Sequence, residues 1–264
     1  MRIAWDIICW VIMASPLHII MEMLKLFRPE LHKVKRYFIL YLKALANASL
    51  LSIHLGKLEE VDHYIKELKQ HDENGNEHKQ YRIILLELMR HNQGKQFSES
   101  VGLIERNKHL LGFFQDNARH EQFTQEKVYL IFHMITAYFG AQNYKQAAKL
   151  AREFIQMQKD TVKKDAYRMA RIVNLIIHFE LDNADLLVSE LRSAHRMLKN
   201  EKKLFRFESI FLKFISRVDA PLSAKEKKKF GELYLSLKKL QRVPFEKNAF
   251  AYFDFLSWVE GKCK

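Results

Sequence analysis

Cysteine, proline and glycine are all scarce in this chain, and each shortage removes a class of structure. The 264 residues hold two cysteines, Cys9 in an apolar run and Cys263 in the C-terminal tail. That is too few for a disulfide framework or a cysteine zinc cage, and a reducing cytoplasm is the expected compartment. The four prolines are Pro16, Pro29, Pro221 and Pro244, so residues 30–220 contain none. Glycine occurs only eight times. Proline breaks helix interiors, and β proteins need many Gly and Pro turns, so the long proline-free stretch predicts an all-α chain. Catalytic signatures are missing too: there is no Gly-rich phosphate loop, nucleophile elbow or His-Glu-x-x-His. The twelve histidines are scattered without metal-ligand spacing. The polar stretch between His71 and His78 fails the twelve-residue calcium pattern. The expectation is a protein that is no enzyme, with no cofactor, no metal and no small-molecule substrate.

The residues that are present are 48% hydrophobic and repeat on a long period. Four segments share one layout: an apolar-periodic helix, a short polar turn, then a second amphipathic helix. The turns lie at His54-Leu55-Gly56-Lys57, Gln93-Gly94-Lys95-Gln96, Gly140-Ala141-Gln142-Asn143 and Leu181-Asp182-Asn183. Aligning Leu58, Phe97, Tyr144 and Ala184, which follow them, gives spacings of 39, 47 and 40 residues. In the third unit Ile131, Ile135 and Tyr138 share one helical face, and Ala147, Ala151 and Phe154 share another. Small residues let two helices approach closely while aromatics fill the space between pairs. In the second unit Ser100 stands where the pattern expects alanine. The fold expected is a right-handed superhelical array of antiparallel helix pairs, a tetratricopeptide-like α-solenoid. Its parts would be an apolar helical hairpin over 1–28, repeats over 29–200 and a helical cap over 201–264.

Both ends depart from the repeat. Residues 3–21 are largely apolar, but Asp6 interrupts them and Ser15-Pro16 reads as an N-cap and first-turn proline. Two short helices packed on the first repeat are therefore expected rather than a spanning segment of about 20 apolar residues. The apolar start further suggests missing upstream repeats or a docking surface for another subunit. Toward the C-terminus, Ser223-Ala224-Lys225-Glu226 reads as a capping box, and residues 247–260 read as one last helix.

The run Ala170-Arg171-Ile172-Val173-Asn174-Leu175-Ile176-Ile177-His178-Phe179-Glu180-Leu181-Asp182-Asn183 resembles the late repeats of large uncharacterised tetratricopeptide-like proteins of Bacteroidetes. So do Leu191-Arg192-Ser193-Ala194-His195-Arg196 and the ending from Phe245 to Trp258. The resemblance covers about residues 40–262. It implies the repeat fold, a cytoplasmic scaffold-like role, a longer N-terminus and no activity.

Charge is the remaining signal. The chain carries +13, and residues 161–264 hold 22 Lys and Arg against 13 Asp and Glu, a balance of +9. The spacing of Lys164, Arg168, Arg171, Asn174 and His178 places them on one face of an otherwise apolar helix. Arg192, Arg196 and Lys199 stripe the partner helix. Arginine forks and an amide facing a groove suit carboxylate or phosphate recognition. The same residues also fit a solvated face, or caps within the stack, with Asp182, Asp185 and Glu190 as internal partners. The leading expectation is a protein–protein interaction scaffold that holds a protein or peptide partner, an acidic one by charge. Self-association through the apolar N-terminus is a further expectation. The alternatives are a nucleic-acid-binding repeat protein using the basic C-terminal half, including Lys227-Lys228-Lys229, and a membrane-tethered scaffold anchored through residues 3–21.

Overall fold

The computed structural model describes residues 17–30, 35–71, 77–109, 125–156, 164–200, 205–218 and 224–263, and all regular structure in them is helical. Their sequence periodicity explains this. Ile20 and Leu24 lie one turn apart on α1 (Leu17–Phe27) and are buried. Val61, Tyr64, Ile65 and Leu68 make the buried stripe of α3 (Leu58–Gln70), the i, i+3, i+4, i+7 signature of an amphipathic helix. Between these lies α2 (Lys35–His54), and α4 (Glu77–Gln93) and α5 (Phe97–Arg106) follow. Then come α6 (Gln125–Gly140), α7 (Tyr144–Gln156), α8 (Lys164–Glu180), α9 (Ala184–Asn200), α10 (Arg206–Ile215), α11 (Ala224–Leu240) and α12 (Phe255–Cys263). Two short 3₁₀ turns, Arg28–Glu30 and Lys247–Ala251, complete the described elements.

Four connections share one geometry. Gly56, Lys95, Gln142 and Asp182 all take left-handed backbone angles, with φ of 73°, 55°, 59° and 53°. In each turn this residue's N–H reaches the carbonyl three residues back, as in Gln142 to Phe139 at 2.9 Å. The next N–H reaches five residues back: Lys57 to Ser52, Gln96 to His91, Asn143 to Tyr138 and Asn183 to His178, at 2.8–3.2 Å. These bonds satisfy the carbonyls left open at a helix end in the manner of a Schellman motif. The following helix starts two residues beyond the left-handed residue in every case, at Leu58, Phe97, Tyr144 and Ala184. The residues aligned from sequence are therefore equivalent positions in the backbone. Only Gly56 adopts the conformation without side-chain strain.

The chain forms two compact units, 1–111 and 112–264. This division falls inside the stretch read from sequence as a single repeat array. In the first unit α2 packs on α1, α3 and α4. Its core joins Tyr41, Ala44, Leu45 and Ala48 of α2 to Ile20, Val61, Tyr64, Ile65 and Leu86. Ser100 is fully buried there and donates its hydroxyl to Asn92 Oδ1 at 2.9 Å. A small polar side chain with its partner supplied thus stands in for alanine.

In the second unit α7 packs on α6 and α8, and α8 also packs on α6, α9 and α10. Ile131, Ile135, Tyr138, Ala147, Ala151 and Phe154 are all buried, as their spacing predicts. Phe154 meets Phe132 edge-to-face at 5.5 Å, and each ring contributes about 2–3 kcal/mol by burial. Beyond α9 the core is aromatic, with Phe207, Phe211, Phe255, Trp258 and Phe230 linked in a chain of ring contacts.

The ends modify the sequence reading. Helix α1 packs on α2, while the expected first helix, Ser15-Pro16 and Ser223 lie outside the described residues. The described part of α11 runs from Ala224, and the capping box expected to start it lies partly outside the described residues. The single helix expected over 247–260 is instead a 3₁₀ turn followed by α12. The break has a local cause: the Asp254 carboxylate accepts the Ser257 N–H at 3.1 Å and starts a new helix. Tyr252 and Phe253, just before it, are buried. No helix among the described residues is long and apolar enough to cross a membrane.

Candidate functional site

Helix α8 is apolar on more than one side, and such a helix is buried. Thirteen of its residues, from Ala166 to Phe179 with only Arg171 excepted, are buried. The polar stripe read from sequence therefore meets protein rather than an open groove over much of its length. Arg168, Asn174 and His178 are buried, at 6%, 3% and 4% exposure, so these three do not line an accessible surface. Arg171 is half-buried, Lys164 is exposed, and Arg192 and Arg196 on α9 are exposed.

The stripe splits between two neighbours. Arg168 reaches α10, where its Nε donates to Glu208 Oε1 at 2.6 Å and its Nη2 donates to Oε2 of the same carboxylate. Glu208 also accepts the Phe205 N–H at 3.1 Å, and the Arg168 guanidinium lies 5.0 Å from the Phe205 ring centre. Arg171 turns to α9 instead. Its Nη1 donates to Ser193 Oγ at 3.0 Å and to Glu190 at 3.3 Å, and its Nη2 donates to Tyr167 at 3.1 Å. Of the internal partners considered from sequence, Glu190 is used by Arg171, whereas Arg168 takes Glu208, forty residues along the chain.

Asn174 Oδ1 and His178 Nδ1 are buried without a hydrogen-bond partner among the described residues. Burial holds the His178 imidazole below its ordinary range; the Glu190 carboxylate opposes this and the Arg152 guanidinium adds to it. The imidazole is therefore neutral near pH 7.

A second feature of this unit is a recess of about 380 Å³, within the size range of small-ligand sites. Tyr129, Tyr252 and Phe245 are among its aromatic walls, and Asp165, Glu208 and Glu246 are its charged residues. Glu246 accepts the N–H groups of Arg206 and Phe207, both at 2.9 Å, and so caps α10 from a distant part of the chain. The Tyr252 ring stacks on Tyr129 at 5.7 Å. Burial first, then Tyr129 and Asp165, push the Tyr252 hydroxyl above the usual phenol range, so it stays protonated. No group of three His, Cys, Asp or Glu residues able to hold a metal occurs among the described residues.

No family model, curated protein or solved structure matches this chain. The functional reading therefore rests on the residues themselves.

Sequence reasoning missed Glu208, Glu246 and Tyr252. Each acts through a partner far away in the chain, and helical periodicity reports only near neighbours. The one local signal was Glu208 three residues after Phe205, the spacing at which an N3 carboxylate reaches back to the N-cap N–H.

Proposed function

We propose that the chain is a non-catalytic helical-repeat module that holds a protein or peptide partner, with the exposed face of α9 as a contact surface. The observation that carries this reading is the fourfold recurrence of one turn geometry, at Gly56, Lys95, Gln142 and Asp182, each directly joining two helices. Recurrent helix pairs that pack on their neighbours are the building principle of α-solenoids, which work as binding surfaces. The right-handed array of antiparallel pairs, the kinship with tetratricopeptide-like proteins and a cytoplasmic setting belong to the same proposal.

Helix α9 supports the choice of surface. Only Ala194 of its described side chains is buried. Val188, Arg192 and Arg196 follow at four-residue intervals along one face, and Val188 remains 47% exposed. An apolar residue beside two unburied arginines suits an acidic surface with an apolar centre. Lys164, at the start of α8, is a further candidate contact.

The rival is nucleic acid, favoured by the exposed Lys225, Lys227, Lys228, Lys238 and Lys239 of α11. Affinity capture with the full chain, with and without nuclease and across a salt series, separates the two. A protein retained at constant stoichiometry after nuclease supports the scaffold. Binding that vanishes with nuclease and falls steeply with salt assigns the rival.

A further inference from the structure

We infer that the outer face of α11 is a peripheral docking surface for an anionic lipid membrane. This does not rest on the α9 reading and needs no spanning helix. Helix α11 packs against α10 and α12, and its inner residues Phe230, Leu233, Leu237 and Leu240 are buried. The opposite face carries Lys228, Gly231, Leu235, Lys239 and, just past the helix end, Arg242, each three or four residues after the last. That spacing sets them in one row along the helix. Among the described residues nothing covers this row. Lys228, Lys239 and Arg242 are exposed, Leu235 is 61% exposed, and a Cβ added at Gly231 would meet no atom within 4 Å.

The charge of this face is not neutralised internally. Lys225 and Lys238 flank the row and are exposed as well, so these five cations stand against one exposed carboxylate of the helix, Glu232. Lys225, Lys228, Lys239 and Arg242 make no ion pair among the described residues, and the Lys238 ammonium lies 5.5 Å from the Tyr234 ring centre. Lys229, less exposed than these, is by contrast paired with Glu226 at 3.0 Å. Its ammonium also donates to the Arg217 carbonyl, which sets the exposed Arg217 beside the start of α11 and extends the positive surface. Charge alone fits any polyanion; the donor set and Leu235 decide between them. A nucleic-acid backbone is met by guanidinium forks and by neutral hydroxyl and amide donors. Four of these five cations are lysines, and the Ser236 hydroxyl is committed to the Glu232 carbonyl. An exposed leucine one turn from Lys238 and Lys239 matches a bilayer surface instead. There ammonium groups rest among anionic headgroups and an apolar side chain enters the acyl boundary.

Vesicle co-sedimentation of the full chain tests the surface. The vesicles are phosphatidylcholine alone, or phosphatidylcholine and phosphatidylserine in equal parts, and fluorescent single-stranded RNA is the competing polyanion. The expected result is binding to the serine-containing vesicles and none to phosphatidylcholine alone. Lys228→Gln with Lys239→Gln should weaken that binding roughly 25-fold, about fivefold per charge. Gly231→Leu places a second apolar side chain in open space one turn before Leu235. It should tighten vesicle binding at least about threefold and leave RNA affinity unchanged. It also replaces a helix-interior glycine with a better helix former, so folding is not at risk. No binding to the serine-containing vesicles, or vesicle binding that neither variant alters, would overturn the inference. RNA binding that the lysine variant abolishes, with vesicle binding indifferent to Gly231→Leu, would overturn it too and assign the face to nucleic acid.

Discussion

Arg168 on α8 and Glu208 on α10 form a two-pronged ion pair whose side chains are 7% and 0% exposed. A pair so far from water is fixed by its partner and not by solvent, so removing either half strands a buried charge. Arg168→Ala and Glu208→Ala should each cost about 3–5 kcal/mol, a drop of roughly 10 °C in Tm for a unit of this size. Replacing both with apolar residues, Arg168→Met with Glu208→Leu, should restore most of the loss. Thermal melts of the three variants check this. Single variants that melt like the wild type would show that the pair does not hold α8 to α10.

The recurrent turns give an opposite, stabilising prediction. Lys95 and Gln142 are exposed and hold left-handed angles that favour glycine. Lys95→Gly and Gln142→Gly should each stabilise by about 1 kcal/mol. Gly56→Ala should destabilise by about as much through the backbone alone, because an added Cβ there meets nothing within 4 Å. Urea unfolding measures all three, and a loss of stability in both glycine variants would contradict the shared geometry.

His178 should make stability pH-dependent. Burial holds its folded-state pKa below the ordinary 6.5, with Glu190 opposing and Arg152 assisting. The unfolded chain therefore takes up a proton first as pH falls. The stability linked to the neutral ring is complete above about pH 6.5 and is lost as pH drops below that value. His178→Gln should show a smaller decline in Tm between about pH 7.5 and about pH 5.5 than the wild type. An identical decline would assign the effect to other groups.

Glu246 caps α10 across forty residues of chain, taking the N–H groups of Arg206 and Phe207. Glu246→Ala should lower stability by about 1–2 kcal/mol, as for the loss of a helix cap. Hydrogen exchange localises the effect: faster exchange in the first turn of α10 is expected, and a uniform change across the unit would argue against a capping role.

Much of the fold was legible because its rules are local. The scarcity of Pro and Gly gave helix, and three- and four-residue spacing gave the buried faces of α6 and α7. The alignment of Leu58, Phe97, Tyr144 and Ala184 landed on the first residue of four helices, because short turns have few solutions. The split at Asp254 went unseen although aspartate is a strong N-cap; the aromatic run on either side masks it. The candidate site was legible only in part. The stripe on α8 is real in spacing, but periodicity cannot tell a solvent-facing polar row from one that meets α9 and α10. That difference lies in Glu208 and Glu190, supplied by other helices.

The central claim is that α9 presents a basic contact face for a protein partner. Charge reversal at Arg192 and Arg196, both exposed, tests it most directly. In nuclease-treated affinity capture from native cells, the wild-type chain should retain a defined protein at fixed stoichiometry. The double variant Arg192→Glu with Arg196→Glu should lose that protein while melting within about 2 °C of wild type, as surface changes do. Retention of the same protein by the stably folded double variant would contradict the account.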